Sequence, residues 1–372
     1  MAQQLRLKSQ KYSAKEVYSY CVDVLVDSGV SHLTEPFTYA VDEKKGQLSV
    51  GSLVVVPFGN RSLQGIVIGV NKENKPGLKF IKKVIHLSPV ITEEQIELIN
   101  LAKDRWTGSF WNYLKFSVPS IPANQIVPKV STQGVKRKIE NPELRIGTSY
   151  FDVISLIEGR INPARQLLIV VPEDSYLFFL IEKINEEFLE YGSHLAPNER
   201  VQNYLKILNG EANLIIGTRS AIFLPLNSDA EILIIDDLSF AYYESRFPYW
   251  NVRDIALMRS TRHSVTFYCH SPSLELVRLV ESKWMRLRQK RGVRKSVSFK
   301  NGRIPYQAVV KNGLRTGPVL VLVPEKGYVN ALVCSKCRNI LKCDLCGGRV
   351  IQSGRETLPY CQMCRNPFFT TA

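Results

Sequence analysis

The chain has 372 residues, 45% of them hydrophobic and 22% charged, which excludes a disordered chain and predicts two or three folded domains. Its 49 Lys and Arg residues exceed its 34 Asp and Glu residues, and the resulting charge of +15 favours a polyanionic partner, nucleic acid before membrane. The sequence has neither an apolar run long enough to span a bilayer nor an apolar secretion signal, so we expect a cytoplasmic protein without membrane contact.

Residues 1–20 are a predicted polar arm, and residues 21–89 carry short β-rich runs separated by turn residues. The predicted strands are Val22–Val26, Phe37–Val41, Ser52–Pro57, Leu63–Asn71 and Phe80–His86. Together they predict a small β-rich domain.

Apolar residues at helical spacing follow over residues 90–123. Thr92, with Gln95 three residues later, has the pattern of a capping box and predicts the start of a helix. Residues 124–148 combine proline and glycine with the run Lys136-Arg137-Lys138, so we predict a basic linker there.

Residues 149–310 alternate buried-strand runs with helical stretches, the pattern of a doubly wound parallel sheet. The predicted strands are 166–171, 212–216, 231–235 and 264–268, and the predicted helices are 177–190 and 200–208. A further strand over 319–323 precedes the cysteines of the region 311–372.

Six of the eight cysteines form three Cys-x-x-Cys pairs at one end of the chain: Cys334 and Cys337, Cys343 and Cys346, Cys361 and Cys364. Two such pairs supply the four thiolates of a structural zinc site, with Zn–S distances of ~2.3 Å. Iron–sulfur ligation and reduced loop thiols are the alternatives. Because six cysteines do not divide into fours, we expect one zinc ion and one leftover pair.

Asp236 and Asp237 follow a predicted buried strand, at the end where parallel sheets bind ligands. Such a pair can hold the Mg²⁺ of a nucleotide, or simply form a turn or a helix cap. The phosphate-binding pattern Gly-x-x-x-x-Gly-Lys-[Ser/Thr] is missing, because the dipeptide Gly-Lys does not occur in the chain. We therefore expect no ATP binding and no catalytic residues.

The stretch Lys283–Arg303 contains nine Lys and Arg residues, no Asp or Glu, and the aromatic residues Trp284 and Phe299. Cations neutralise phosphates and an aromatic ring can stack on a base, so this stretch is a candidate DNA contact. The alternative is a solvated helix face with a loop.

Several of these segments, taken in chain order, resemble the family of the primosomal replication restart protein PriA (primosomal protein N′). The similarity is particularly close to its actinobacterial branch, whose members are described as lacking helicase activity. The segments that carry the resemblance are Phe37-Thr38-Tyr39, Val54–Gly59, Gly217–Ala221, Pro248–Asp254, Pro272–Glu275 and Gly317–Tyr328.

The resemblance implies a fold and a set of sites. Residues 21–89 would bind a DNA 3′ end, 90–123 would form a winged helix, 149–310 a degenerate RecA-like helicase lobe, and 311–372 the start of a second lobe with a zinc module. The 3′-end pocket would contain Phe37, Thr38, Gly51 and Lys79, and Thr218 and Arg219 would contact DNA from the helicase lobe. The first zinc would be held by Cys343, Cys346, Cys361 and Cys364, while Cys334 and Cys337 await a fourth pair.

The chain also departs from the family pattern. It reads Asp236-Asp237-Leu238-Ser239 where active members carry Asp-Glu-Glu-His, Cys269-His270-Ser271 where they carry Ser-Ala-Thr, and Thr38 where they carry an aspartate. It also stops early at its C-terminus relative to the family. We therefore expect a DNA-binding replication restart protein without helicase activity.

The partners implied by the resemblance are fork-like or single-stranded DNA, primosome proteins, the replicative helicase and single-strand-binding protein. Two alternatives remain open at this point: an active 3′→5′ helicase and a zinc-containing protein-interaction scaffold.

Overall fold

A computed structural model of the chain describes residues 20–30, 33, 35–71, 77–128, 130, 140–147, 150–289, 315, 328–355 and 357–368. The chain divides into two compact units, Met1–Val293 and Arg294–Ala372. Residues 1–19, the predicted strand 319–323 and residues 290–303 of the basic stretch lie outside the described residues. No helix within the described ranges is long and apolar enough to cross a membrane.

The first sheet is antiparallel, with strand order β2-β1-β4-β3-β5. Its strands are β1 (Tyr20–Val26), β2 (Phe37–Val41), β3 (Leu53–Phe58), β4 (Arg61–Asn71) and β5 (Lys83–His86). Residues just before β5 close the sheet, because the Ile81 N–H donates to Ala40 O at 3.1 Å on β2 and the Lys82 N–H donates to Val55 O at 2.9 Å on β3. The five predicted strands are present.

Two short helices follow, α1 (Glu93–Arg105) and α2 (Phe110–Ser117). The predicted capping box is present: the Gln95 N–H donates to Thr92 Oγ1 at 3.2 Å, and the Thr92 N–H donates to Gln95 Oε1 at 3.1 Å. Residues 90–123, all of which are described, contain these two helices and no strand. The winged-helix assignment therefore stays a prediction.

The second sheet has seven strands in the order β12-β6-β11-β10-β7-β9-β8, and every neighbouring pair is parallel. Its strands are β6 (Glu143–Ile146), β7 (Leu167–Val170), β8 (Leu189–Tyr191), β9 (Leu214–Gly217), β10 (Glu231–Ile235), β11 (Ser264–Cys269) and β12 (Arg286–Gln289). Its helices are α3 (Tyr150–Glu158), α4 (Asp174–Ile181), α5 (Pro197–Leu208), α6 (Val252–Arg259) and α7 (Leu274–Glu281). Apolar strands buried on both faces explain the parallel arrangement.

The structure differs from the predicted elements most clearly at β6, at β12, which lies in the predicted basic stretch, and at the predicted helix 177–190. Strand β6 lies inside the predicted linker 124–148. Its Leu144 is a core residue, but the charged neighbours Glu143 and Arg145 hide the strand pattern in the sequence. The predicted helix 177–190 is wrong in its second half, where β8 joins the sheet beside β9.

A buried ion pair joins the helix pair to the parallel-sheet domain within the first unit. Arg259 is 2% exposed, and it donates to Glu94 Oε1 at 2.8 Å and to the carbonyl oxygens of Ile222 and Leu224 at 2.8 and 2.9 Å. His263 Nε2 lies 2.6 Å from the same Glu94 oxygen. Burial raises the pKa of Glu94, but the Arg259 charge and the His263 hydrogen bond outweigh it and lower that pKa to about 2.

Candidate DNA-binding and metal sites

A polar trio lies on one face of the antiparallel sheet. The Thr38 hydroxyl donates to Asp23 Oδ1 at 2.7 Å, and the Asn71 amide donates to Asp23 Oδ2 at 2.6 Å. Side chains alternate along β2, so Phe37 points to the other face, where its ring is 5.2 Å from that of Phe58 in an edge-to-face arrangement. Thr38 thus lies next to the Asp23 carboxylate of the neighbouring strand.

The structure places Lys79 beside this part of β2 and Gly51 away from it. The Ala40 N–H donates to Lys79 O at 3.0 Å, and the Lys79 side chain is exposed. Gly51 is buried at the far side of β4, where a Cβ would lie 2.2 Å from the carbonyl oxygen of Ile91. Its φ of +91° and this close approach require glycine at this position, and its place in the 3′-end pocket stays a prediction.

Arg219, predicted to contact DNA, is held by the chain itself. It donates to Tyr243 O at 2.5 Å and to Glu244 Oε2 at 3.0 Å, and its guanidinium lies 5.8 Å from the ring of Trp250. Thr218 is buried beside it. Arg219 thus anchors the segment from Leu238 to Tyr249, which we call the aromatic segment.

The aromatic segment carries exposed ring and apolar side chains that sequence reasoning did not assign to a site. Phe240 is 91% exposed, and Leu238, Tyr243, Phe247 and Tyr249 are each more than two-fifths exposed. Six of the eleven residues from position 240 to 250 are aromatic, against 10% in the whole chain, and this local density was a usable signal. Exposed rings near cationic side chains form the kind of surface on which unstacked bases bind.

The predicted nucleotide position is occupied by internal contacts. Asp237 is 2% exposed, and its Oδ1 accepts the Ser273 N–H at 3.2 Å and the Cys269 thiol at 3.1 Å. Asp236 Oδ1 accepts the His270 N–H at 3.2 Å. These contacts tie the aspartate pair to the end of β11 and the segment that follows it, and the choice between a nucleotide site and a structural role stays open.

Strand β6 runs directly into α3, with three residues between them. In this kind of strand–helix turn, nucleotide-binding proteins carry the longer glycine-rich loop whose amides hold phosphates. At Gly147, the first of the three residues, an added Cβ would lie 1.8 Å from the hydroxyl oxygen of Tyr268. The Tyr268 hydroxyl therefore lies directly against Gly147 and leaves no room for a side chain at that position.

Four cysteines come together in the second unit. The ligand atoms of Cys343, Cys346, Cys361 and Cys364 all lie within 4.8 Å of one another, with Sγ–Sγ distances of 3.6 Å between Cys343 and Cys364 and 3.3 Å between Cys346 and Cys361. Tetrahedral zinc with Zn–S bonds of ~2.3 Å needs sulfurs about 3.8 Å apart, so the four thiols fit such an ion. The donor set leaves no position for substrate, which makes the site structural.

Glycine and backbone amides shape this cysteine cluster. A Cβ on Gly348 would lie 2.9 Å from Cys361 Sγ, so glycine keeps that space free for the sulfur. The backbone N–H of Cys364 hydrogen-bonds to Cys361 and lowers its pKa to about 6, which favours the thiolate form that binds metal.

The pair Cys334 and Cys337 has the same local turn as the other pairs. The Arg338 N–H donates to Cys334 O at 2.9 Å, as the Gly347 N–H does to Cys343 O and the Arg365 N–H does to Cys361 O. Residues 338, 347 and 365 all have φ near +60 to +70°. Cys334 and Cys337 lie outside the four-thiol cluster, and whether they bind a second ion stays a prediction.

These observations define a multidomain α/β protein with a closed antiparallel sheet, a parallel seven-stranded sheet and a Cys₄ cluster. Residues 23–119 match the family described as the 3′ DNA-binding domain (3′BD) of PriA. The match covers the antiparallel sheet together with α1 and α2, which the sequence had divided between two modules.

Relatives match most of the chain. It is 25% identical to the probable replication restart protein PriA of Mycobacterium tuberculosis, covering 90% of this chain and 60% of that protein. It is 23% identical to the replication restart protein PriA of Rickettsia conorii and 22% identical to that of Helicobacter pylori, covering 88% and 89% of this chain and 58% and 57% of those proteins. The predicted resemblance to the PriA family is therefore confirmed, and the chain spans about 60% of the length of the relatives it matches.

Proposed function

We propose that this chain is a DNA-binding replication restart protein that recognises fork-like DNA and recruits primosome proteins, the replicative helicase and single-strand-binding protein without unwinding DNA itself. The observation that carries the proposal is the 3′ DNA-binding-domain match over residues 23–119 on a closed antiparallel sheet. The net charge of +15 supports a polyanionic partner.

Three surfaces of the first unit divide the proposed work. The 3′ end would bind near Thr38, whose hydroxyl brings the Asp23 carboxylate with it, and near the exposed amine of Lys79. The aromatic segment would stack on unpaired bases, with Arg219 as its positioning residue. Phosphates of the fork's duplex arms would contact Lys283, Arg286 and Arg288 at the start of the basic stretch. These contacts add affinity but do not recognise the 3′ end.

The absence of helicase activity is part of the proposal. It is supported by the three-residue connection between β6 and α3, by the close approach of the Tyr268 hydroxyl to Gly147, and by the engagement of Asp237 Oδ1 with Ser273 and Cys269. The connection is shorter than the phosphate-binding loop of a nucleotide site, and one oxygen of Asp237 is already occupied. DNA-stimulated ATP hydrolysis above background would contradict this part and favour the active helicase.

The test is binding to a synthetic fork whose nascent strand ends in a 3′-hydroxyl or a 3′-phosphate, with duplex of equal length, across a salt series. We expect the fork to bind more tightly than the duplex and the hydroxyl more tightly than the phosphate. Lys79→Ala should reduce the preference for the hydroxyl end, while Lys83→Ala, an exposed lysine on β5, should not. Equal binding of fork and duplex would overturn fork recognition, and no DNA binding would favour the protein-interaction scaffold.

The aromatic segment has its own test with single-stranded DNA. Phe240→Ala should weaken binding by about 1–3 kcal/mol if the ring stacks on a base. Leu274→Ala removes a similarly exposed apolar side chain from α7 and is the matched control. Equal losses in the two variants would exclude base stacking on Phe240.

A further inference from the structure

A cavity of about 400 Å³ lies at the amino edge of the parallel sheet. The first residues of four strands line it, namely Glu143 of β6, Glu231 of β10, Ser264 of β11 and Arg286 of β12. The aspartate pair of the degenerate nucleotide position follows the carboxyl end of β10, at the opposite edge of the same sheet. The cavity is therefore separate from the nucleotide position of the fold.

Arginine dominates the lining of this cavity. Its charged members are Glu140, Glu143, Arg145, Arg160, Arg165, Glu231, Arg286 and Arg288. The five arginines exceed the three glutamates by two positive charges. The carboxylates are already paired. Glu143 pairs with Arg145, with Arg288 at 3.1 Å and with Arg160 at 3.6 Å. Glu231 pairs with Arg160 at 3.0 Å and with Arg165, and Glu140 pairs with Arg286 at 2.6 Å.

Two of these arginines face each other across neighbouring strands. Arg145 and Arg288 are register partners in the parallel pair of β6 and β12. Like charges side by side on adjacent strands are unfavourable unless a counter-charge lies between them. Glu143 supplies one carboxylate for both, while Arg160 adds a third positive charge to the same group.

The charges of the neighbouring arginines also act on Arg160, whose side chain is mostly buried in the wall of the cavity. Burial and then the neighbouring charge of Arg145 lower the pKa of this guanidinium to about 10, against the opposing effect of Glu143. Burial is the largest cause of this shift, and the crowded arginine charges add to it. An anion in the cavity would offset those charges.

We propose that this arginine-lined cavity binds phosphate groups. The planar guanidinium presents paired N–H donors that match two phosphate oxygens, so several arginines around one cavity favour a polyphosphate over a single small anion. The phosphates come either from the DNA backbone, in which case the inference rests on the proposed DNA binding, or from a free polyphosphate, in which case it does not. β12 lies near the start of the basic stretch, so part of that stretch lines the cavity.

The test uses the full chain and the double variant Arg286→Gln/Arg288→Gln, which changes the two most exposed of the five side chains and leaves Glu143 bonded to Arg145 and Arg160. The control Arg262→Gln/Arg278→Gln removes the same charge from exposed positions outside the cavity. Arg145→Gln is the second cavity variant, should the first fold poorly. The probes are inorganic tripolyphosphate, by its effect on the unfolding temperature, and duplex DNA, by anisotropy across a salt series.

We expect tripolyphosphate to raise the unfolding temperature of the wild type and the control, and to lose this effect in the cavity variants. If DNA is the source, the cavity variants also reduce the salt slope of DNA binding by about one to two relative to the control. Loss of the tripolyphosphate effect alone assigns the site to a free polyphosphate. If cavity and control variants behave alike with both probes, the inference is overturned, even if the protein binds DNA. If only the cavity variants lose the tripolyphosphate effect and the protein does not bind DNA, the phosphate site is supported and the proposed function is overturned.

Discussion

The two compact units differ in what stabilises them. The first unit buries whole apolar side chains such as Ile169, Ile232 and Phe267, and this large core stabilises it. Among the described residues of the second unit, only Cys343, Gly348, Val350 and Cys361 are buried. For this described part of the second unit, we infer that metal ligation by the four cysteines replaces apolar burial.

The strongest test of this difference removes one ligand of the cluster. We expect Cys361→Ser to abolish metal binding and to expose residues 328–368 to hydrogen exchange, because structural zinc contributes about 10 kcal/mol or more to small folds. The unfolding temperature of the first unit should stay unchanged. Gln362→Ala, an exposed neighbour, is the control. A second unit that keeps its protection in the Cys361→Ser protein would contradict the metal dependence.

The first unit should instead respond to its buried ion pair. Arg259→Met leaves Glu94 with His263 as its close partner, and we expect a loss of about 3–5 kcal/mol in the free energy of unfolding, measured with urea. Metal content should not change. The control Arg262→Gln removes an exposed arginine that pairs with Glu97, and it should have an effect of at most about 1 kcal/mol. Similar losses of unfolding free energy in both variants would show that the buried Arg259–Glu94 pair stabilises the fold no more than the exposed Arg262–Glu97 pair.

The stability of the first unit should also depend on acidic pH through Glu94. The pKa of Glu94 is about 2 in the folded state, below its ordinary value of 4.5, so its contribution to stability is present above pH 4.5 and is lost as the pH falls through 2. At about 1.4 kcal/mol per unit of pKa, this amounts to about 3 kcal/mol. We expect Glu94→Gln to flatten the stability of the first unit between pH 4.5 and 2. An unchanged slope would exclude Glu94 as the group responsible.

The smallest expected effect concerns the leftover cysteine pair. Cys334→Ser should leave the metal content at one ion per chain, because Cys334 and Cys337 lie outside the four-thiol cluster. Metal released on thiol modification measures this directly. A fall in metal content would show that the pair ligates after all, and the contrast with Cys361→Ser would disappear.

The sequence predicted best those parts that depend on local patterns. The capping box at Thr92, the strand Glu231–Ile235 and the three Cys-x-x-Cys pairs all follow from spacing within a few residues, whereas the choice of the two pairs that join came from the family resemblance. β6 and β12 were missed because their charged residues point into the arginine-lined cavity and hide the apolar strand signal. Contacts between distant segments, such as Arg259 with Glu94, leave no local pattern.

The same limit applies to the candidate sites. Gly51 was placed with Phe37 and Thr38 from similarity alone, whereas its close approach to Ile91 comes from the packing of the closed sheet on the helix pair. The anchoring of the aromatic segment by Arg219 likewise depends on a loop whose shape no short pattern fixes. The sequence allowed us to choose candidate site residues, but not to predict which distant residues they contact in the fold.

The Tyr268 hydroxyl above Gly147 has an evolutionary consequence. An added side chain at Gly147 would meet the phenol hydroxyl, so position 147 can change only after Tyr268 has been replaced by a smaller residue. The two positions are therefore linked in evolution: a substitution at 147 that comes first is removed by selection, whereas the same substitution after a change at 268 is tolerated.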